Sequence, residues 1–341
     1  MIKIGILGGG SWGTAFASVV ADREEVILYI RDKDEVDFLN KNNRNRDYLS
    51  DNKLSKNICA STSIEEVCKD KEIIINAIPT QATREVLYKA KEYISEDTII
   101  LNLSKGIEVS TMDRISEIVK DVLPNNPYVA LSGPSHAEEV IKRLETSVVI
   151  SSSNEELNKK LQERFNREYF RIYTNQDLIG VEFGGALKNV LAFGIGVARG
   201  LGVGDNAVAA LITRGMYEMS KFVISLGGKY TTIYGLAGLG DLIVTATSKY
   251  SRNSFAGILF GKGYNLEEVE KEIGMAIEGI KTCEAVYEIS KKLDIEMPIS
   301  EEIYKMIYMN QDPNESVKKL MNREIKNEFN IDLQKNDVIW E

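Results

Sequence analysis

A strand-length apolar run broken by glycines opens the chain and limits what can be built on it. Residues 1–13 read MIKIGILGGGSWG. Ile2, Ile4, Ile6 and Leu7 form the run, and the pattern predicts a helix starting near Ser11 to Gly13. Gly8, Gly10 and Gly13 therefore spell Gly-x-Gly-x-x-Gly between a strand and a helix, the context in which this pattern marks a dinucleotide-binding turn. In such a turn Gly8 allows the sharp bend, Gly10 lets the backbone approach a pyrophosphate, and Gly13 lets the helix lie close on the sheet. The helix N-terminus adds unpaired N–H groups and partial positive charge.

The remaining composition narrows the possibilities. A chain of 341 residues has room for two domains, and 43% hydrophobic with 27% charged residues describes a globular protein with a substantial core. A net charge of −9 argues against nucleic acid as a partner, because a phosphate backbone needs a basic footprint. No membrane span or leader is expected, since the apolar runs are short and Met1 leads straight into a strand. Cys59, Cys68 and Cys283 are too few and scattered for a disulfide framework or a zinc site, so no metal is expected and a cytoplasmic location is. His136 is the only histidine, which leaves lysine or a carboxylate as the favoured agent of any proton transfer.

Apolar runs at 26–30, 72–78, 98–103, 128–131, 147–151 and 169–173 alternate with helical patterns, including 81–93 and 112–122. That alternation predicts an α/β, doubly wound parallel sheet with helices on both faces. The loops at Gly8, Pro79, Ser104 and Gly133 are then expected to share one edge, where such sheets bind ligands. Beyond Asn175 strand-like runs almost vanish. Residues 176–201 read as one apolar helix marked by Gly184, Gly185, Gly194 and Gly196, and 205–226 as a second, with Asp205 and Asn206 as cap candidates. The predicted organisation is a dinucleotide-binding domain over 1–176, an all-helical C-terminal substrate domain over 177–330, and a polar tail over 331–341. A homodimer is the expected assembly, and the glycine-marked helices serve either as core or as subunit contact.

Several side chains could carry chemistry. Lys105 sits in Ser104-Lys105-Gly106 at a strand end. Lys188 interrupts an otherwise apolar helix, where desolvation and neighbouring cations lower a lysine pKa toward that of a general base. Asp241 follows a glycine turn and reads first as a helix cap. Ser251-Arg252-Asn253 reads as a polar turn offering a guanidinium fork and neutral donors to phosphate. At the end of the second strand Arg31 can hold a ribose 2′-phosphate, whereas Asp32 can accept from a 2′-hydroxyl or simply lie in a solvated turn. The choice between NADH and NADPH stays open.

Taken together, Ser11-Trp12 within the glycine motif, Ser104-Lys-Gly106, Ser132-Gly-Pro-Ser135, Gly185-Ala-Leu-Lys-Asn-Val190, Gly202-Val-Gly-Asp-Asn206, Gly238-Leu-Gly-Asp-Leu242 and Ser251-Arg-Asn253 occur in order. The chain thereby resembles the NAD(P)-dependent glycerol-3-phosphate dehydrogenases of the bacterial biosynthetic type over nearly its whole length. The resemblance implies a Rossmann-like N-terminal domain and reversible reduction of dihydroxyacetone phosphate to sn-glycerol 3-phosphate with NADPH or NADH, supplying phospholipid synthesis. It implies Lys188 as proton acceptor with Lys105 and Asp241 beside it. Gly133, Ser135, Thr245, Ser251, Arg252 and Asn253 match substrate-contacting positions. Ser11, Trp12, Arg31, Tyr48, Lys105, Ala137, Arg252, Ile277 and Glu278 match cofactor-contacting positions. Asp32 departs from the second basic residue often found there in members favouring NADPH. A related two-domain β-hydroxyacid dehydrogenase and a dinucleotide-binding sensor without catalysis are the competing readings.

Overall fold

The computed structural model describes residues 2–325, 327 and 328; the polar tail at 331–341 lies outside the described residues. The described residues form eight short strands: β1 (Ile4–Leu7), β2 (Val26–Tyr29), β3 (Ile58–Ser61), β4 (Ile73–Asn76), β5 (Ile99–Asn102), β6 (Tyr128–Ser132), β7 (Thr146–Ser151) and β8 (Phe170–Asn175), all but β3 carrying an apolar run. They form one sheet in the order β3-β2-β1-β4-β5-β6-β7-β8. Strands β1 to β6 are mutually parallel, so Gly8, Pro79, Ser104 and Gly133 emerge at one edge as expected. The strand order reverses between β1 and β4, the switch point at which such sheets hold a ligand.

Helices α1 (Ser11–Ala21), α2 (Lys33–Asn42), α3 (Ile64–Cys68), α4 (Thr80–Ala90), α5 (Ile115–Val122), α6 (Ala137–Val140) and α7 (Glu155–Phe165) connect the strands. Separate apolar clusters fill the two faces of the sheet. One centres on Phe16 against Phe165 and Phe170, the other on Leu87, Ile100, Ile118 and Val119.

The structure corrects four local expectations. Strand β7 runs antiparallel to β6, with Leu131 opposite Ile150. Only the four-residue α6 lies between them, whereas a parallel return needs a full crossover helix. The pair β3 and α3 lies in a stretch with no strong apolar run, and β3 is an edge strand with the sequence ICAS. Helix α5 starts at Ile115 rather than Met112, because Met112 has φ 67° and a bridge pairs Ile107 with Arg114. Gly204, not Asp205 or Asn206, occupies the cap position of the second long helix.

After β8 the chain is helical: α8 (Leu178–Gly200), α9 (Asp205–Ser225), α10 (Tyr230–Ile233), a π-helical turn at Leu236–Gly240, α11 (Asp241–Thr247), α12 (Arg252–Gly261), α13 (Leu266–Ile273), α14 (Glu278–Lys292), α15 (Pro298–Tyr308) and α16 (Pro313–Met321). Helix α8 is the axis of this half. Its length and mean hydropathy of 1.4 would suffice for a membrane span, contrary to the sequence expectation, but 83% of that window is buried inside the protein. A helix apolar all round and enclosed by others is a core helix.

Close approach between α8 and α12 depends on glycine. A Cβ at Gly257 would overlap the Phe193 carbonyl oxygen, and one at Gly196 the Ser254 carbonyl oxygen; Gly200 and Gly261 repeat the pattern a turn further on. The sequence flags Gly196 but not Gly200 or the partners on α12. Replacing Gly257 with Ala is expected to destabilise the fold by about 1–3 kcal/mol through overpacking, read as a lower urea midpoint at constant m-value. An unchanged midpoint would show that the two helices are free to separate.

Candidate active site

The first turn of the chain shapes one end of the site. Gly8 takes φ 111°, a backbone that side chains rarely adopt, and a Cβ at Gly13 would overlap the Gly8 carbonyl oxygen. A Cβ at Gly10 meets nothing within 4 Å, so the backbone there faces open space. Gly10 caps α1 without a side-chain hydrogen bond, leaving its first N–H groups for an anion. Ser11 and Trp12 begin this helix, and the Trp12 ring packs near Phe16. These features fit a dinucleotide pyrophosphate. Sequence reasoning missed Asn45, which is 1% exposed and donates to Gly9 O and Thr14 Oγ1, both at 2.9 Å. Its Oδ1 accepts from Tyr48 N at 2.9 Å, so this one amide ties the Tyr48 segment to the glycine turn. A lone Asn in a polar run carries no sequence signal for that role.

At the end of β2 the structure separates Arg31 from Asp32. The Asp32 carboxylate accepts from Asp34 N at 2.8 Å and Glu35 N at 3.2 Å, capping α2. Asp32 is exposed, and both bonds fall on Oδ1, so the residue caps the helix from the solvated side of the turn. Arg31 stays exposed.

The centre of the site lies where the sheet edge meets α8 and α11. Lys105, from the turn after β5, donates to Asp241 Oδ2 at 2.5 Å and to Gly133 O at 2.9 Å. Lys188, from α8, pairs with Asp241 Oδ1 at 2.9 Å and donates to Thr245 Oγ1 at 2.7 Å. Thr245 in turn donates to Asp241 Oδ1 at 3.3 Å. Asp241 thus holds both lysines, one per oxygen, and does not cap α11. The cap reading fails because Gly240 takes that position and the carboxylate turns inward. Glycines again allow the approach: a Cβ at Gly185 would crowd Ser132 Oγ, and one at Gly184 would press on the Ala237 carbonyl.

Burial sets the electrostatics. Asp241 is 2% exposed; burial pushes its carboxyl up, and Lys105 and Lys188 more than offset this, holding it below the ordinary range. Lys188 is 7% exposed, and burial lowers its ammonium pKa to about 8. Asp241 opposes that shift, while the positive charges of Lys105 and Arg252 add to it. His136 faces Val244 O at 3.4 Å, and burial together with Lys188 depresses its pKa, favouring the neutral ring.

The remaining positions frame this centre. Ser135 Oγ donates to Gly133 O at 2.8 Å, and Ala137 is buried at the start of α6. Ser251 is not in a free turn but caps α12, its Oγ accepting from Ser254 N at 3.1 Å. Arg252 and Asn253 therefore occupy the first turn of that helix. Asn253 donates to Asn189 Oδ1 at 2.9 Å and accepts from Gly279 N at 2.9 Å, so its amide is largely engaged in holding α8, α12 and α14 together. Asn189 was not singled out in the sequence, although it directly follows Lys188. Ile277 caps α14 from a buried position, and the half-buried Glu278 accepts from Thr80 N at 3.4 Å across the cleft. Burial raises the Glu278 carboxyl pKa, against the pull of the Thr80 N–H and Arg252. Arg31 and Tyr48 stand at the glycine-turn end, away from the lysine pair.

Comparison with known proteins agrees with this layout. A family model for the N-terminus of NAD-dependent glycerol-3-phosphate dehydrogenase matches residues 3–158, and one for its C-terminus matches 177–318. A glycerol-3-phosphate dehydrogenase (NAD(P)+) of Clostridium botulinum is 46% identical over 330 residues, covering 96% of this chain and 100% of its own. That of Bacillus licheniformis is 47% identical over 328 residues, 95% of each chain. The crystal structure of glycerol-3-phosphate dehydrogenase from Coxiella burnetii superposes with a TM-score of 0.90 at 38% identity, covering 94% of this chain and 98% of that one. Family models and relatives alike span both the sheet and the helical half, and the chain belongs to the NAD-dependent glycerol-3-phosphate dehydrogenase family.

Proposed function

We propose that this chain reversibly reduces dihydroxyacetone phosphate to sn-glycerol 3-phosphate with NAD(P)H, with Lys188 moving the hydroxyl proton. The observation that carries the assignment of residues is the pair of lysines on one buried carboxylate, with Thr245 beside Lys188, at the ligand-binding edge of the sheet. When bound, the nicotinamide supplies or accepts hydride at the substrate carbon. The chain's own groups do the rest. As an ammonium, Lys188 stabilises the developing alkoxide and protonates it; as a free amine it takes the proton in the reverse direction. Asp241 and Thr245 hold its Nζ in place, and Lys105 adds a second positive charge beside the substrate oxygen. Gly133 and Ser135 line the adjoining loop.

The substrate phosphate is assigned to Arg252, whose guanidinium suits a phosphate oxygen pair, with the Ser251 hydroxyl and the remaining Asn253 N–H as neutral donors. A local cluster of three cations thus lets a protein of net charge −9 take an anionic substrate. The cofactor is assigned to the turn at Gly8, Gly10, Ser11, Trp12 and Gly13, to Arg31 and Tyr48, and to Lys105, Ala137, Arg252, Ile277 and Glu278. With Asp32 occupied as a cap, Arg31 is the free group for a 2′-phosphate, which favours NADPH.

This reading divides the chain into a cofactor unit at 1–176 and a substrate unit at 177–330, supported by the passage from sheet to helices there. It places the enzyme in the cytoplasm, feeding phospholipid synthesis, as a homodimer; exposed Ala207, Ala209 and Ala210 on α9 are suited to such a contact.

Lys188→Ala is expected to lower kcat by about a thousandfold or more while leaving the Kd of NADPH unchanged. Retained turnover with intact cofactor binding would remove Lys188 from the mechanism. The pH dependence has a fixed sign. Reduction needs the ammonium, so its kcat/KM is expected to fall as pH rises through about 8, whereas oxidation needs the free amine and its kcat/KM rises there. Parallel profiles in the two directions would contradict this assignment. Arg31→Ala is expected to raise the KM for NADPH about tenfold or more and that for NADH little; equal effects on both would place the 2′-phosphate elsewhere.

A further inference from the structure

Six residues before Lys188 on the same helix, Glu182 receives four hydrogen bonds from the sheet domain. Its Oε1 accepts from Ser116 N at 2.9 Å and from the Tyr128 hydroxyl at 2.6 Å. Its Oε2 accepts from Ser116 Oγ at 2.6 Å and from Arg114 Nη1 at 3.0 Å. The side chain is only 6% exposed. Arg114 is further held by Glu117 at 3.0 Å and lies over the Phe183 ring at 5.4 Å. Every lone-pair direction of this carboxylate is thereby used. A fully satisfied buried network of this kind is rigid, and removing any one member leaves the others unpaired.

The donors are not scattered. Ser116 lies in the first turn of α5, and Tyr128 opens β6, whose far end carries Gly133. Beside the Tyr128 phenol lies the Asn102 side chain, at the end of β5. Asn102 accepts from Ser104 N at 3.1 Å and donates to Ser104 O at 3.0 Å, shaping the turn from which Lys105 projects. On the other side, the α-helical rise puts Lys188 about 9 Å along α8 from Glu182. One carboxylate therefore joins the helix that bears one lysine to the strands that bear the other.

We propose that Glu182 is a positioning residue that sets α8 against the sheet so that Lys188 and Lys105 meet on Asp241. The inference rests on the assignment of Lys188 as the proton-transfer group. Lys188 is faced by Asp241 from α11, Lys105 from the β5 turn, Arg252 from α12 and His136 from the loop after β6. Glu182 is faced by Arg114 and Tyr128, and through Arg114 by Glu117. No titratable group belongs to both sets, and loss of the Glu182 charge by itself would lower the lysine pKa, so a displacement to higher pH reports the position of α8.

The test is the pH profile of dihydroxyacetone phosphate reduction by Glu182→Gln, Tyr128→Phe and their double variant. Glu182→Gln preserves shape but turns a donor toward Arg114 or Ser116. Expected are a fall in kcat of about tenfold, an unchanged Kd for NADPH, and an alkaline limb displaced to higher pH as Lys188 gains access to water. Tyr128→Phe gives a smaller change of the same kind. The double variant is no worse than Glu182→Gln alone, because the phenol acts through the carboxylate. A wild-type kcat and alkaline limb in folded Glu182→Gln overturns the proposal, whatever its melting temperature. Should that variant fail to fold, Tyr128→Phe and Ser116→Ala decide in the same way by the displacement of their limbs. Turnover retained in Lys188→Ala would overturn both the catalytic assignment and this inference. Loss of turnover there with a silent Glu182→Gln overturns the positioning role alone.

Discussion

The site depends on one buried carboxylate shared by two lysines. Asp241 carries a single negative charge against two positive ones, so the cluster keeps a net cation in a protein that is acidic overall. Deep burial makes this arrangement demanding, since charges removed from water must be matched closely by partners. Here each carboxylate oxygen takes one lysine, and Thr245 completes the set around Lys188. Burial, the largest influence on Lys188, brings its ammonium close to neutrality in titration while Asp241 keeps it in place. The geometry that orients the lysine is also the geometry that tunes it.

Three segments far apart in sequence must arrive together for that cluster to exist. The parallel order of β1, β4, β5 and β6 brings Lys105 and Gly133 to the edge where the glycine turn lies. Helix α8 brings Lys188, and the π-helical turn before α11 delivers Asp241. Each junction is made without side-chain bulk. Gly184 and Gly185 admit the turn and the end of β6, and the glycines shared by α8 and α12 bring Arg252 and Asn253 alongside. Backbone-to-backbone packing leaves little freedom to shift, which suits a site whose parts are held in register by hydrogen bonds.

Recognition of the site from sequence worked where chemistry and local context coincide. Three glycines between a strand and a helix have few other uses, and a lysine in an apolar helix stands out against its neighbours. The same logic could not by itself choose a role for Asp241, because an Asp after a glycine turn has the same local signature whether it caps the helix or turns inward. It left Asp32 undecided for the same reason: capping α2 and accepting from a ribose hydroxyl place identical demands on the local sequence. Asn45, Asn189 and Glu182 carried no signal as participants, since their partners lie 31 and 36, 64, and 54 to 68 residues away.

The sequence by itself determined the alternation of strands and helices, the shared loop edge, the change to an all-helical second half and the chemical types present in the site. These follow from periodicity and from residues whose backbone or charge restricts them locally. Only the tertiary structure decided the reversal of β7, the inward turn of Asp241 and the four-donor hold on Glu182. Each of those is settled by which partner a polar group or strand edge finds at long range. Competing local partners are close in energy, and only burial removes the alternatives offered by water.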